Sequence, residues 1–293
     1  MLVENDYEVA GVFCQPDRKQ GRGHKIIFPP IKQRALEHGL DVFQFEKIKS
    51  EEAIDKLKSL DMDIMITAAY GQILSQEILD IPKKGCINVH ASLLPKYRGA
   101  APIQWVIING EKTTGITTMF TDIGLDTGDM LLKDEIEILE TETGGQLYER
   151  LAHLGAKTLK RTLYELEKGT LKPEKQIEKQ SSYYPLLKKE MAKLSFENTA
   201  KQLVDKVRAL DPVMRCYANY MGNDIKLLKL NISDTELRGK PGETLMSDHR
   251  NGLVIMAKDK PIEVVEIQAP GAKRMITKDY LLGKQIPVGD YFE

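Results

Sequence analysis

Short apolar runs that alternate with amphipathic helical segments are the feature that most constrains the fold of this chain. Residues 64–71 (IMITAAYG) form one such run and residues 86–90 (CINVH) form another, while Ser50 opens a segment with apolar residues at helical spacing. Such alternation is typical of buried parallel strands that are joined by helices. The order of these segments therefore predicts an α/β fold with a doubly wound, mostly parallel sheet. Ligands of such sheets bind beyond the carboxyl ends of the strands.

The run at residues 86–90 carries two polar side chains. Asn88 and His90 are two residues apart, so they point to the same face of the predicted strand. An amide N–H can donate to a developing oxyanion, and an imidazole moves protons near neutral pH, so the pair suits acyl-type chemistry. The alternative is that both side chains satisfy backbone groups in a turn.

A second polar stretch, residues 121–130 (TDIGLDTGDM), follows the apolar segment 115–120. It places Asp122, Asp126 and Asp129 among glycines. A carboxylate delivered by such a loop could orient the imidazole and stabilise its cation. Because Asp and Gly are also ordinary turn residues, a turn-forming or cation-binding loop is the alternative.

Together the two stretches resemble the 10-formyltetrahydrofolate-dependent formyltransferases, and within them the methionyl-tRNA formyltransferases, over almost the whole chain. The resemblance implies that Asn88, His90 and Asp126 form the catalytic set, that 10-formyltetrahydrofolate is the co-substrate and that no metal takes part. It also implies that the S-L-L-P segment binds the folate. With the neighbouring strand end, the folate-binding candidates are Ser92, Leu93, Leu94, Pro95, Tyr70 and Gly71.

Residues 15–25 (QPDRKQGRGHK) are dense in glycine and positive charge. The resemblance implies that this loop enters the acceptor stem of tRNA, where basic side chains neutralise phosphates; a solvated connector is the alternative. The formal net charge is only −1, so a nucleic acid must be held by local basic clusters. The tRNA-binding candidates, which include two residues near the carboxyl end, are Arg18, Lys19, Arg22, Lys25, Lys273 and Arg274.

A polar stretch without periodicity divides the chain. We expect a catalytic domain over residues 1–169, a linker over 170–188 and a second domain over 189–293, in which short alternating runs indicate strands. The resemblance implies that this second domain is a small oligonucleotide-binding-like β-barrel that contacts tRNA. One departure is residues 211–214, which read DPVM where the family often has NPWP.

Composition excludes several classes of protein. The chain is 42% hydrophobic and 29% charged, with no apolar run of membrane-spanning length and no signal-peptide pattern. Cys14, Cys86 and Cys216 do not have the spacing of metal ligands, so we interpret them as reduced packing residues of a cytoplasmic protein. We expect the protein to be a monomer. A catalytic thiol at Cys86 is the alternative.

The resemblance therefore implies an enzyme that formylates the α-amino group of methionyl initiator tRNA and supports translation initiation. The alternatives are a formyltransferase acting on a sugar nucleotide or another amine, a formyltetrahydrofolate hydrolase, and an RNA-binding homologue with impaired catalysis. Members of the family usually open with a strand, a G-T-P loop and a helix that precede the first strand found here. We therefore expect the true start to lie upstream of Met1.

Overall fold

The structure is a computed structural model that describes residues 1–20 and 25–293. It divides into two compact units. Unit 1 comprises Met1–Arg98, Gly115–Asp134 and Ala152–Ser182, and unit 2 comprises Gly99–Thr114, Glu135–Leu151 and Tyr183–Glu293. Among the described residues, no helix has the length and apolar character that a membrane span requires.

Strands and helices are numbered here in chain order. The strands are β1 (Val12–Cys14), β2 (Arg18–Gln20), β3 (Lys25–Ile27), β4 (Val42–Gln44), β5 (Met65–Thr67), β6 (Cys86–His90), β7 (Arg98–Gly99), β8 (Thr113–Phe120), β9 (Met130–Glu137), β10 (Tyr183–Tyr184), β11 (Tyr217–Tyr220), β12 (Asn223–Ile232), β13 (Thr244–Asp248), β14 (Gly252–Met256), β15 (Pro261–Gln268) and β16 (Met275–Ile276). The α-helices are α1 (Pro30–Glu37), α2 (Glu51–Ser59), α3 (Gln76–Leu79), α4 (Pro102–Ile108), α5 (Gly144–Lys168), α6 (Ala200–Leu210) and α7 (Thr277–Gly283).

The sheet of unit 1 is mixed. β1 pairs in parallel with β4, and a four-stranded piece has the order β5-β6-β8-β9. Within that piece β5 and β6 are parallel, as the sequence predicts, but β8 runs antiparallel to β6. An apolar run shows that a strand is buried and carries no signal of its direction, so the sequence pattern of β8 fits either arrangement.

The amphipathic helix predicted after Ser50 is confirmed as α2. The Ser50 hydroxyl accepts a hydrogen bond from the backbone N–H of Ala53, which caps the helix. Its apolar face, with Ile54 and Leu57, packs in one cluster with Ile78 and the buried start of β6. This packing holds β6, and with it the predicted catalytic side chains, against the helical layer.

Unit 2 contains an antiparallel sheet in the order β11-β12-β15-β14-β13, with β16 beside β15. Register shifts occur between β12 and β15 and between β13 and β14, and such bulges curl a sheet. Among the described residues no ladder joins β11 to β13, so the curled sheet is an open half-barrel. Helix α6 packs against this sheet, and Leu203, Val207 and Leu210 share one core with the strands.

A capping box begins α6, and we expect its loss to lower the stability of unit 2. Thr199 Oγ1 accepts from the N–H of Gln202 at 3.3 Å, and Gln202 Oε1 accepts from the N–H of Thr199 at 2.9 Å. Thr199→Ala should reduce the free energy of unfolding by about 0.5–2 kcal/mol. Urea unfolding measures this, and Thr199→Ser, which keeps the hydroxyl, is the control. An unchanged midpoint in the alanine variant would contradict the prediction.

Candidate active site

Asn88 lies on β6 opposite Thr67 of β5. The Thr67 hydroxyl donates to Asn88 Oδ1 over 3.1 Å. With Oδ1 facing the Thr67 hydroxyl, Nδ2 is the end of the amide that can donate to a substrate. The side chain is half-buried, and a fixed, partly desolvated N–H group is what stabilisation of an oxyanion requires.

His90 is the last residue of β6 and only 6% of it is exposed. Its Nε2 lies 2.9 Å from the carbonyl oxygen of Tyr97, and since a carbonyl only accepts, Nε2 carries a proton. Its Nδ1 lies 3.7 Å from Asp126 Oδ1. The sequence assigns the orienting role to Asp126, but the closer contact to the ring is the Tyr97 carbonyl. Nδ1 is therefore the atom that can gain or lose a proton, beside the carboxylate.

Asp126 comes to His90 from a tight loop between β8 and β9. Its backbone φ is 56°, in the left-handed region that a residue with a side chain rarely adopts. Asp122, another predicted candidate of this loop, shapes it from within: its Oδ1 accepts from the N–H of Gly124 at 3.0 Å and from the Thr127 hydroxyl at 2.7 Å. The loop thus brings Asp126 to the imidazole and uses Asp122 for its own structure.

The S-L-L-P segment divides into inward and outward residues. The Ser92 hydroxyl donates to the carbonyl of Lys96 at 2.8 Å, and Leu94 is buried in a cluster with Met119 and Met130. These two residues hold the turn. Leu93 and Pro95 are half-exposed, so among the four they are the side chains that a ligand can touch.

The strand end at β5 supplies the other two folate-binding candidates. Gln15 Nε2 donates to the carbonyl of Tyr70 at 2.9 Å, which ties this end to the segment after β1. Burial raises the pKa of the Tyr70 phenol, so the hydroxyl stays protonated at neutral pH. Gly71 has a φ of 79°, a conformation that glycine adopts without strain.

Cys86, at the start of β6, is the alternative nucleophile. It is buried, and burial, the largest influence on its thiol, raises the pKa of that thiol. A thiol in this state is not ionised at neutral pH and is a weak nucleophile. The geometry therefore favours Asn88 and His90 over Cys86 as the reacting groups.

The tRNA-binding candidates of unit 1 lie on the β2–β3 hairpin. Arg18 is exposed on β2, opposite Ile27 of β3. Lys19 and Lys25 belong to the same two strands, whereas Arg22 lies outside the described residues.

The two candidates of unit 2 differ in their partners. Lys273 is exposed. Arg274 Nε donates to Glu266, which raises the pKa of the guanidinium, and Arg274 Nη1 lies 3.5 Å from Asp211 Oδ1. The departure at residues 211–214 thus gives Arg274 an acidic partner, and Val213 is left 68% exposed. A phosphate would have to compete with two carboxylates for Arg274.

Sequence reasoning missed several residues that hold the site together. They lie in the segment after His90 and in the stretch predicted to be a linker, and they are Tyr97, Arg98, Gln176 and Ser182. Arg98 carried a signal, since it is a charged residue that follows an apolar strand and a turn within a few positions. The others carried none, because their contacts go through backbone atoms or lie in a polar stretch without periodicity.

Two family descriptions match this chain. Residues 3–163 match "Formyl transferase" and residues 186–285 match "Formyl transferase, C-terminal domain". The chain is 46% identical over 288 residues to the methionyl-tRNA formyltransferase of Alkaliphilus metalliredigens, which covers 98% of this chain and 91% of that one. It is 43% identical over 288 residues to the methionyl-tRNA formyltransferase of Clostridioides difficile, and that match covers 98% of this chain and 93% of the relative.

Solved structures share the fold at lower identity. WlaRD, a sugar 3N-formyl transferase crystallised with dTDP and 5-N-formyl-THF, superposes with a TM-score of 0.66 at 20% identity, covering 93% of this chain and 92% of that one. HypX from Aquifex aeolicus in complex with tetrahydrofolic acid superposes with a TM-score of 0.65 at 17% identity, and the match covers 96% of this chain and 50% of that one. The matched residues extend over both units, and this chain therefore belongs to the formyl transferase family.

Proposed function

We propose that this chain transfers the formyl group of 10-formyltetrahydrofolate to the α-amino group of methionyl initiator tRNA, in support of translation initiation. The observation that carries the proposal is the meeting of Asn88, His90 and Asp126 at the carboxyl end of β6. It is supported by relatives that are 43–46% identical over 98% of this chain and bear the name methionyl-tRNA formyltransferase.

In the proposed mechanism, the amine nitrogen attacks the formyl carbon and negative charge develops on the formyl oxygen. Asn88 Nδ2 donates to that oxygen, because Oδ1 is already held by Thr67. The His90–Asp126 pair takes the amine proton at Nδ1, where it lies between the ring and the carboxylate. The same proton passes to N10 of the folate as the bond from carbon to N10 breaks, so the enzyme returns to its starting state.

The residues around the site fit a folate co-substrate in the proposed complex. Leu93 and Pro95 present half-exposed apolar surface, and Tyr70 and Gly71 border the neighbouring strand end. Ser92 and Leu94 act from behind, by holding the turn. A mostly apolar wall with a few oriented polar groups is typical of sites for small cofactors.

We also propose that residues 1–169 form the catalytic domain, that 170–188 connect it to the next domain and that residues 189–293 contribute a tRNA-binding surface with Lys273. Translation initiation places the activity in the cytoplasm, and the three cysteines, all buried and free, fit a reducing compartment. We expect the chain to act as a monomer.

Formyl transfer with purified protein tests the proposed function. The co-substrate is 10-formyltetrahydrofolate, and the acceptors to compare are methionyl initiator tRNA, methionyl elongator tRNA, a dTDP-amino sugar and water. Transfer to the initiator tRNA at a kcat/KM far above the other three is expected. Preferred formylation of the amino sugar, or release of formate to water without an acceptor, would replace the proposal by one of its alternatives.

The basic hairpin is expected to act through phosphate contacts. If Arg18 contacts a phosphate, Arg18→Ala should raise the KM for tRNA and reduce the slope of log KM against log salt by about one unit, since each contact releases about one counterion. The KM for folate should not change. Arg34→Ala is the matched control, because Arg34 is an exposed arginine of α1 paired with Glu37. An unchanged tRNA slope in Arg18→Ala would make the hairpin a connector.

A further inference from the structure

Gln176 bridges a buried cation and the loop that carries Asp126. Its Nε2 donates to the carbonyl oxygens of Asp126 and Gly128, both at 2.8 Å, and its Oε1 accepts from Arg98 Nε at 3.0 Å. A guanidinium only donates and a carbonyl only accepts, so the amide can sit in one orientation alone. Gln176 therefore connects Arg98 to the Asp126 loop with an acceptor at one end of its amide and a donor at the other. No other side chain of its shape has both.

Arg98 anchors this bridge. The residue is 3% exposed, and its Nη1 also donates to Glu178 Oε2 at 2.9 Å. A buried charge is costly unless it is paired and hydrogen-bonded. Gln176 and Glu178 supply these partners from the same short stretch of chain, so the cation fixes that stretch in place on unit 1.

The same stretch also holds the backbone next to His90. Ser182 Oγ accepts from the N–H of Tyr97 at 2.9 Å, and the Tyr97 carbonyl is the group that binds His90 Nε2. At its other end, Glu174 and Met130 exchange two backbone hydrogen bonds of 2.8 Å just after the Asp126 loop. Both members of the His90–Asp126 pair are thus held, through backbone groups, by residues 174–182.

We propose that residues 174–182 form a strap that sets the distance between His90 Nδ1 and the Asp126 carboxylate, with Gln176 as the positioning residue. This inference rests on the proposed function for its catalytic meaning. Asp126 has a left-handed backbone conformation, which persists only when surrounding contacts over-determine it. Gln176 supplies two of those contacts. Misplacement of a reacting group by about 1 Å can cost about 10²-fold in rate, so the strap is a determinant of turnover.

The test compares Gln176→Glu with Gln180→Glu. A carboxylate at position 176 still accepts from Arg98 but meets two carbonyl oxygens that it cannot donate to, so the loop moves. We expect kcat to fall about 10- to 100-fold, with the KM for folate and the KM for tRNA within about twofold of wild type. Gln180 is exposed on the same strap, and its glutamate variant should turn over like wild type. A kcat for Gln176→Glu within twofold of wild type overturns the proposal.

A double-mutant cycle separates positioning from a general loss of structure. In an Asp126→Ala background, Gln176→Glu should lower kcat by less than about twofold, because the carboxylate that Gln176 positions is absent. If Gln176→Glu lowers kcat in the Asp126→Ala background by the same factor as in the wild-type background, the proposal is overturned.

An NMR measurement decides the same point without activity. The imidazole ¹H–¹⁵N resonances of His90 should shift in Gln176→Glu and stay in place in Gln180→Glu; identical spectra in both variants overturn the proposal. If wild type does not formylate tRNA, the proposed function fails, and this arm still reports on the strap.

Discussion

Each of Asn88→Ala, His90→Ala and Asp126→Ala is expected to lower kcat for formyl transfer by at least about 10²-fold. A positioned acid-base group contributes about 10²- to 10⁴-fold, and loss of an oxyanion donor costs about 10²- to 10³-fold. Asn88 Nδ2 is oriented by Thr67, and His90 Nδ1 faces Asp126 at 3.7 Å. Since these groups act on the reacting atoms, folate affinity should stay close to wild type. Single-turnover rates and folate titration measure the two quantities separately.

The controls for this prediction use the same residue types in other places. His153→Ala removes an exposed histidine of α5 and should not change kcat. Asn88→Asp keeps an acceptor for Thr67 but replaces the donating nitrogen with a carboxylate oxygen, so it should lose as much rate as the alanine variant. Turnover like that of wild type in any one of the alanine variants would remove that residue from the mechanism.

The sequence predicts the part of the candidate site that consists of side chains on a regular strand. Alternation places Asn88 and His90 on one face of β6, and apolar packing against α2 follows from the helical spacing after Ser50. Glycine and aspartate mark the loop that delivers Asp126. A local rule is enough for the strand and the helix, whereas Asp126 is singled out within its loop by the family resemblance.

The contacts that hold the site have no such signature. His90 is oriented by the carbonyl of Tyr97, and every residue has a carbonyl. Gln176 lies in a polar stretch whose composition indicates a linker, yet it is fixed by Arg98, which is distant in sequence. The antiparallel direction of β8 likewise depends on the path of the whole chain. Such features arise from tertiary packing, which local patterns do not encode.

In unit 2 the sequence predicts β12, β14 and β15 but misses α7 and the strands β10, β11, β13 and β16. β13 pairs with β14 through a register shift, so its side chains do not alternate regularly between buried and exposed. Helix α7 is short and begins without a side-chain cap. Elements that depend on bulges, or that lack start signals, escape rules built on periodicity and capping.

Gly128→Ala is expected to abolish most turnover, with a fall in kcat of at least about 10²-fold. A Cβ at this position would overlap the carbonyl oxygen of Phe120 and lie 2.9 Å from its carbon, and both atoms belong to the backbone of β8. Since a strand held in a sheet cannot give way as a flexible side chain can, the loop must move instead. Asp126, two residues away, would move with it and lose its place beside His90.

The control is Gly283→Ala at the end of α7, where an added Cβ meets no atom within 4 Å. Both variants lose the backbone freedom of a glycine in the unfolded chain, so a difference between them reports on the loop contact. Thermal unfolding should show that Gly128→Ala still folds cooperatively, while single-turnover kinetics show the lost rate. Wild-type kcat in Gly128→Ala would mean that the loop tolerates displacement and that the position of Asp126 does not limit catalysis.

Combining Gly128→Ala with Asp126→Ala tells displacement of the carboxylate apart from damage elsewhere in the site. If the glycine acts only by placing Asp126, the double variant should be no slower than Asp126→Ala alone, because a carboxylate that is absent cannot be misplaced. If the double variant loses a further 10²-fold, the loop contributes to catalysis through a group other than Asp126. The outcome thus decides whether the backbone contact between Gly128 and Phe120 serves one side chain or the loop as a whole.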